Sequence, residues 1–310
     1  MNSHNEKPGS LLNSACAASS PTMSDGAQAV SVRALPVGAD RNHRLGFGSM
    51  QLTGPGHWGP PQHRDDAIHV LRVAVEKGIT HVDTADAYGP STAESIIRHA
   101  LHPYPDDLLI ATKGGMTRQG PNRWAPLGRP EYLHQCVEMS LRRLRLERIG
   151  LYYLHRIDPA VPLEDQVGVL ADMQREGKIQ HIGLSKVTVP QILQARAHVN
   201  VAAVQNKYSI GARTHEDVLR YCTQHGIPFV PYAPLAAGHL LQAENRLAQL
   251  AKSRGVTPAQ LALAWLLHAS PAVMPIPGTS RPAHLRDNLL ARQLDLSNDE
   301  IEEIASAGGP

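Results

Sequence analysis

Leu108-Leu109-Ile110-Ala111-Thr112-Lys113-Gly114 is an apolar run that stops on a lysine. Two other stretches share its design. His81-Val82-Asp83-Thr84-Ala85-Asp86-Ala87-Tyr88-Gly89 is a short strand running into a loop that ends on glycine. Ile149-Gly150-Leu151-Tyr152-Tyr153-Leu154-His155 is an apolar run stopping on a histidine. Buried strands should not end repeatedly on ionisable side chains unless those ends line a common mouth. In a parallel barrel they do, because every strand opens its C-terminal end on one face.

Working outward, strands and helices alternate. Strands are expected at 45–52, 81–86, 108–113, 149–155, 179–185, 201–206, 228–232 and 273–277. Helices are expected at 64–77, 92–100, 130–144, 163–175, 190–197, 215–225, 243–253, 258–268 and 283–290, with a last one near 299–306. Several stop at glycine (Gly78, Gly177, Gly226), the usual left-handed C-terminal stop. Eight strand–helix units imply parallel strands with right-handed crossovers, hence an α/β fold of the (β/α)8 TIM-barrel type. A doubly wound open sheet would need a glycine-rich first turn. Gly46-Phe47-Gly48-Ser49-Met50-Gln51 lacks the third glycine and enters no immediate helix. Segments 30–35 and 42–45 are expected to form a hairpin across the barrel floor, and 114–129 a long loop.

Composition fits one soluble domain, taken as 28–310. The chain has 310 residues, is 42% hydrophobic, and carries 30 basic and 28 acidic residues for a formal charge of +2. That balance offers no global field for nucleic acid or a membrane, and no apolar run approaches the ~18 residues of a span. Cys16, Cys136 and Cys222 have no metal-type spacing, which points to a reduced, cytoplasmic protein. The histidines form no i,i+4 pair with a third partner, so no metal site is expected. Residues 1–27 are rich in Asn, Ser, Ala, Gly and Pro without apolar periodicity, and are expected to be a disordered tail. Met23 is a candidate natural start.

Taken singly, each polar strand end has a structural explanation: Lys113 as a solvated lysine, His155 as a core histidine, Asp83 as a loop cap. Together they suggest proton chemistry. Free tyrosine titrates near ~10, and an ammonium beside Tyr88 would lower that value toward neutrality. Asp83 would hold Lys113 charged and aimed, while His155 would orient a substrate oxygen or share the proton relay.

With this Asp, Tyr, Lys and His set, the chain resembles the aldo-keto reductase family over about 45–288. The segment 45–54 followed by Trp58-Gly59-Pro60-Pro61 resembles the bacterial branch that includes pyridoxal reductases. The resemblance implies NADPH-dependent reduction of a small carbonyl compound, with catalytic Asp83, Tyr88, Lys113 and His155. It implies that Ser185, Gln205 and neighbouring Asn206 bind the nicotinamide carboxamide, which needs paired polar groups, and that Tyr232 stacks on its ring. Gly278, Thr279, Ser280 and Arg281 would hold phosphate, with Arg281 on the 2′-phosphate, and Asp287 and Asn288 the adenine. The family usually has asparagine after the strand-five serine; here it is Lys186. Trp124, with Met116 and Leu127, would form an apolar substrate wall on a mobile lid, and the end of the chain at Pro310 implies an open pocket.

Other readings remain in play. They are imine reduction or secondary-metabolite tailoring at the same site, a non-catalytic nicotinamide-sensing subunit, and a lyase or isomerase forming a Schiff base on Lys113. A monomer or weak homo-oligomer is expected.

Overall fold

A computed structural model describes residues 41–236, 238 and 246–307. The expected tail, the strand expected at 30–35 and the first three residues of the helix expected at 243–253 lie outside the described residues. All described residues belong to one compact unit.

In chain order the strands are β1 (Phe47–Gly48), β2 (His81–Asp83), β3 (Leu109–Gly114), β4 (Met116–Arg118), β5 (Trp124–Pro126), β6 (Ile149–Leu154), β7 (Ile179–Ser185) and β8 (Val201–Gln205). Six of them form one parallel sheet in the order β1-β2-β3-β6-β7-β8. The helices are α1 (Arg64–Glu76), α2 (Thr92–Leu101), α3 (Pro130–Leu144), α4 (Leu163–Arg175), α5 (Val189–Arg196), α6 (Glu216–Gln224), α7 (Arg246–Ser253), α8 (Pro258–Ala269), α9 (Pro282–Leu290) and α10 (Asn298–Ala307). The architecture is a TIM-barrel-like α/β fold.

Five expected elements differ. The strands expected at 228–232 and 273–277 reduce to isolated parallel bridges, Val204 to Phe229 and Phe229 to Val273. Pro228, Pro231, Pro275 and Pro277 have no N–H to give a continuous ladder. Their carbonyls still work: Gly46 N donates to Pro275 O (2.9 Å) and Gly48 N to Pro277 O (3.3 Å). The first strand is only two residues long, because the chain turns into a 3-10 helix at Met50–Leu52. The segment expected at 42–45 in a floor hairpin begins instead within a 3-10 helix, Arg41–His43. Beside it the buried Arg44 guanidinium donates to the carbonyls of Leu267, Ser270 and Val273. The expected loop at 114–129 contains the antiparallel pair β4 and β5, with Arg118 opposite Trp124.

Strand alternation decides which residues face inward. Leu109, Ala111, Leu151, Tyr153, Ala203, Val230, Met274 and Ile276 form one buried cluster enclosed by the sheet. Their neighbours Ile110, Tyr152, Leu154, Val204 and Phe229 join the larger core against the helices. Lys113, His155, Ser185, Gln205 and Tyr232 continue the inward-facing positions at the C-terminal ends. Register aligns them: Lys113 pairs with Tyr153, Tyr153 with Gly183, and Ser185 with Gln205. Gly183 has to be glycine here, since a Cβ would lie 2.5 Å from the Tyr153 ring.

Candidate active site

Lys113 and Asp83 form a buried ion pair at the sheet's C-terminal rim, with Nζ to Oδ1 at 2.5 Å. Lys113 Nζ also donates to Thr84 O at 2.7 Å, and Gln205 Nε2 donates to Asp83 Oδ2 at 2.8 Å. Both carboxylate oxygens are therefore engaged. Two tyrosine rings flank the ammonium: Tyr88, 5.2 Å from Nζ to centroid, and Tyr153 at 5.7 Å.

Tyr88 reaches this pair from the loop after β2, where Ala85, Tyr88 and Ala93 form a small buried cluster with Met50 and Trp124 against it. Its ring meets His155 edge-on at 5.9 Å and Trp124 edge-on at 6.3 Å. Trp124 also lies 6.3 Å from His155. The Arg118 guanidinium covers the Trp124 ring at 3.5 Å and donates to the carbonyls of His57, Ala87 and Gly56. It ties the β4–β5 hairpin to both neighbouring loops.

A cavity of about 930 Å³ opens above these groups. It is lined by Asp83, Tyr88, Trp124, His155, Ser185, Gln205, Tyr232, Gly278, Thr279, Asp287 and Asn288. Ser280 and Arg281 are exposed and lie outside that lining. Arg281 is the N-cap residue of α9, its N–H bonded to Thr279 Oγ1 at 3.1 Å. Asp287 accepts from Thr257 Oγ1 (2.8 Å) and Gln260 Nε2 (2.6 Å), tying α9 to the start of α8. The Asn206 amide is hydrogen-bonded to Val187 N and O, and Asn206 is not among the residues lining the cavity. The Ser185 hydroxyl is buried on the cavity wall without a hydrogen-bond partner among the described residues.

Lys186, noted in the sequence as a departure from the family pattern, lines the cavity, its ammonium 5.8 Å from the Tyr232 ring centroid. His284 lines it as well. Sequence reasoning missed three further lining groups: Arg156, next to His155, and His57 and Met50. Arg156 could have been found from its place directly after a strand-end residue. His57 and Met50 come from 3-10 turns between β1 and α1 whose path only the fold reveals.

The electrostatics revise one expectation. Burial raises the Tyr88 phenol well above its ordinary value, with Asp83, Tyr232 and Asp86 adding to the rise. Lys113 was expected to lower it, but burial outweighs that effect, with the Asp83 carboxylate paired to Lys113 acting in the same direction as burial. Burial likewise lowers Lys113 against the raising effect of Asp83. His155 is held well below the usual histidine range by burial, with Lys186, Lys113, Arg156 and Arg118 adding to it. Its imidazole is neutral at ordinary pH. Among the described residues no group of three His, Cys, Asp or Glu side chains is arranged for a metal ion.

Residues 44–308 match the profile of the Aldo/keto reductase family. The chain is 44% identical over 266 residues to an uncharacterized oxidoreductase of Schizosaccharomyces pombe, covering 86% of this chain and 87% of that one. It is 42% identical over 274 residues to the pyridoxine 4-dehydrogenase of Escherichia coli, covering 86% and 96%. Among solved structures it resembles an aldo-keto reductase from Klebsiella pneumoniae in complex with NADPH. There the TM-score is 0.73 at 28% identity, with 86% of this chain and 92% of that one covered.

Proposed function

The chain belongs to the aldo/keto reductase family, and from that premise we propose that it reduces an aldehyde or ketone to an alcohol with NADPH as cofactor and Tyr88 as general acid. The observation that carries the reading is one cavity wall on which Tyr88, His155 and Asp83 meet, with Lys113 buried behind them, bonded to Asp83 and beside the Tyr88 ring. The NADPH complex of a related structure supports the choice of cofactor. So does the unpartnered Ser185 hydroxyl, a buried group that a carboxamide would satisfy. The proposal extends to a closed (β/α)8 barrel, supported by the bonds from Gly46 and Gly48 to Pro275 and Pro277.

Ser185 and Gln205 would hold the carboxamide, Tyr232 the nicotinamide face, and Gly278 to Arg281 the phosphates, with Asp287 and Asn288 toward the adenine. When bound, NADPH supplies the hydride. Tyr88 supplies the proton to the carbonyl oxygen. Its raised pKa keeps the O–H intact at neutral pH, so the acid form is fully present. As the phenol gives up its proton, negative charge grows beside the Lys113 ammonium, which Asp83 and the Thr84 carbonyl keep aimed. His155, uncharged, can donate one hydrogen bond to the substrate oxygen without competing as an acid. Trp124 bounds the substrate side with an aromatic face. Cavity walls on this fold vary with its loops.

Lys113 is buried and doubly hydrogen-bonded, which favours the reductase reading over a Schiff base on its amine. The free, buried thiols of Cys136 and Cys222 support a reducing, cytoplasmic setting, and a monomer or weak homo-oligomer remains the proposed state. The test is to mix protein with NADPH and follow nicotinamide absorbance across aldehydes, ketones and imines. Loss of absorbance with carbonyl compounds is expected. Tight NADPH binding without turnover of any compound would point to a sensing subunit instead.

A further inference from the structure

Lys186 and Arg156 present two cationic side chains to the cavity wall beside His155. Among the described residues neither ammonium nor guanidinium has a carboxylate partner in a salt bridge, and the cavity offers none. The two carboxylates on its wall are already taken, Asp83 by Lys113 and Gln205, and Asp287 by Thr257 and Gln260. Lys186 is half-buried, with its ammonium on the cavity side of Tyr232. Burial lowers its pKa to about 8, with Arg156 and Lys113 adding to the fall.

The backbone adds a second observation. Lys186 sits at φ +59°, in the left-handed region, directly after the strand that ends in Ser185. A lysine there has a strain cost of roughly 1 kcal/mol, which glycine would escape and asparagine bears more easily. A strained residue holding an unpaired cation in a cavity calls for a ligand group that repays both costs.

We propose that Lys186 and Arg156 form an anion-recognition corner, and that the carbonyl substrates this enzyme favours carry a carboxylate or phosphate group. The inference rests on the reductase reading. With the carbonyl oxygen between Tyr88 and His155, an anionic substituent on the same molecule meets the two cations in place of water. Lys186 then acts as a specificity-determining residue, and Arg156, more exposed at the rim, completes the pair. A charge-assisted contact in a partly enclosed site discriminates anionic from neutral analogues by roughly ten- to hundredfold, the equivalent of about 1.5–3 kcal/mol.

The experiment has two arms. In the first, Kd values of benzoate, phenyl phosphate and neutral benzamide are measured by tryptophan fluorescence on the protein saturated with NADP+. In the second, kcat/KM for 4-carboxybenzaldehyde is divided by that for benzaldehyde. At least one anion should bind tenfold tighter than benzamide, and the comparison of benzoate with phenyl phosphate identifies the preferred group. Lys186→Met should cut both the binding preference and the kcat/KM ratio tenfold or more, Arg156→Met should cut them less, and Lys186→Arg should keep most of both. Equal binding of anions and benzamide would overturn the proposal. So would a Lys186→Met variant whose only change is weaker NADPH binding, for that would assign the ammonium to the cofactor. Selective anion binding without reduction of any aldehyde would sink the reductase reading and leave the corner standing. Reduction with no anion preference would do the reverse.

Discussion

Lys113 Nζ lies 2.5 Å from Asp83 Oδ1 with both side chains cut off from solvent, so each charge depends on the other. Breaking such a pair from one side leaves an uncompensated buried charge and costs about 3–5 kcal/mol. Asp83→Asn should therefore lower the denaturant midpoint strongly. Removing both charges, in Asp83→Asn with Lys113→Met, should restore much of the loss. Urea melts of the two single variants and the double variant check this. A double variant no more stable than Asp83→Asn would mean that the pair's geometry, not its charge balance, holds the rim.

The Tyr88 hydroxyl is the proposed proton donor, and its ring packs against His155 and Trp124. Tyr88→Phe keeps those contacts and removes the donor. Turnover should fall by roughly two to four orders of magnitude, the range of general acid catalysis, while the Kd for NADPH barely changes. Near-normal turnover in this variant would place the acid elsewhere.

Cofactor choice should depend on a cation near the start of α9. Arg281 is exposed there, outside the cavity lining, whereas His284 lines the cavity. A charged contact to the 2′-phosphate contributes about 1.5–3 kcal/mol. Arg281→Ala should reduce the preference for NADPH over NADH by roughly tenfold or more, read from the two kcat/KM values. If it leaves the ratio alone and His284→Ala lowers it, the phosphate is read by His284.

Much of this architecture was legible because two periodicities are strong. Helices α3 and α4 start and end where apolar spacing and flanking residues place them. The inward-facing sites on β3 and β6 follow from counting alternate positions. What stayed hidden depends on contacts made across the fold. The bridges at Phe229 and Val273 are set by proline positions against neighbouring strands. The β4–β5 hairpin depends on Arg118 clasping carbonyls more than thirty positions away in the chain at Ala87. The rise in the Tyr88 pKa could not be read from its neighbours in sequence, since it needs the depth of burial.

His81 offers a pH test of the packed interior. It is buried at the start of β2, and neither ring nitrogen has a hydrogen-bond partner among the described residues. Burial lowers its pKa from 6.5 to about 4, with Asp83 opposing and Lys113 adding to the fall. The unfolded chain therefore binds a proton at higher pH than the folded one. The resulting stability is present above about pH 6.5 and is lost as pH falls toward 4, roughly 3 kcal/mol in all. His81→Leu should flatten the fall in urea midpoint between pH 6.5 and 4.5 relative to the wild type. Parallel curves would show that other groups, His155 among them, carry the acid sensitivity.

Trp124 is the residue best placed to sort substrates. It is half-buried on β5, lines the cavity, and stands 6.3 Å from the rings of Tyr88, His155 and His57. Arg118 covers it at 3.5 Å and is itself anchored to three backbone carbonyls. The indole is thus anchored through Arg118 to the neighbouring loops, and an anchored aromatic wall discriminates by shape. Removing it should widen the cavity beside the proposed carbonyl position without touching Ser185, Gln205 or the start of α9. Trp124→Ala is expected to raise KM severalfold for planar aromatic aldehydes, which lose a stacking face worth about 0.5–1.5 kcal/mol, and to change it little for short aliphatic ones. NADPH affinity should hold. The same indole also supports Arg118, so circular dichroism and a melting curve must accompany the kinetics. A uniform rise in KM across the panel, or a large drop in melting temperature, would show that Trp124 serves the hairpin's attachment and that substrate shape is read by another wall.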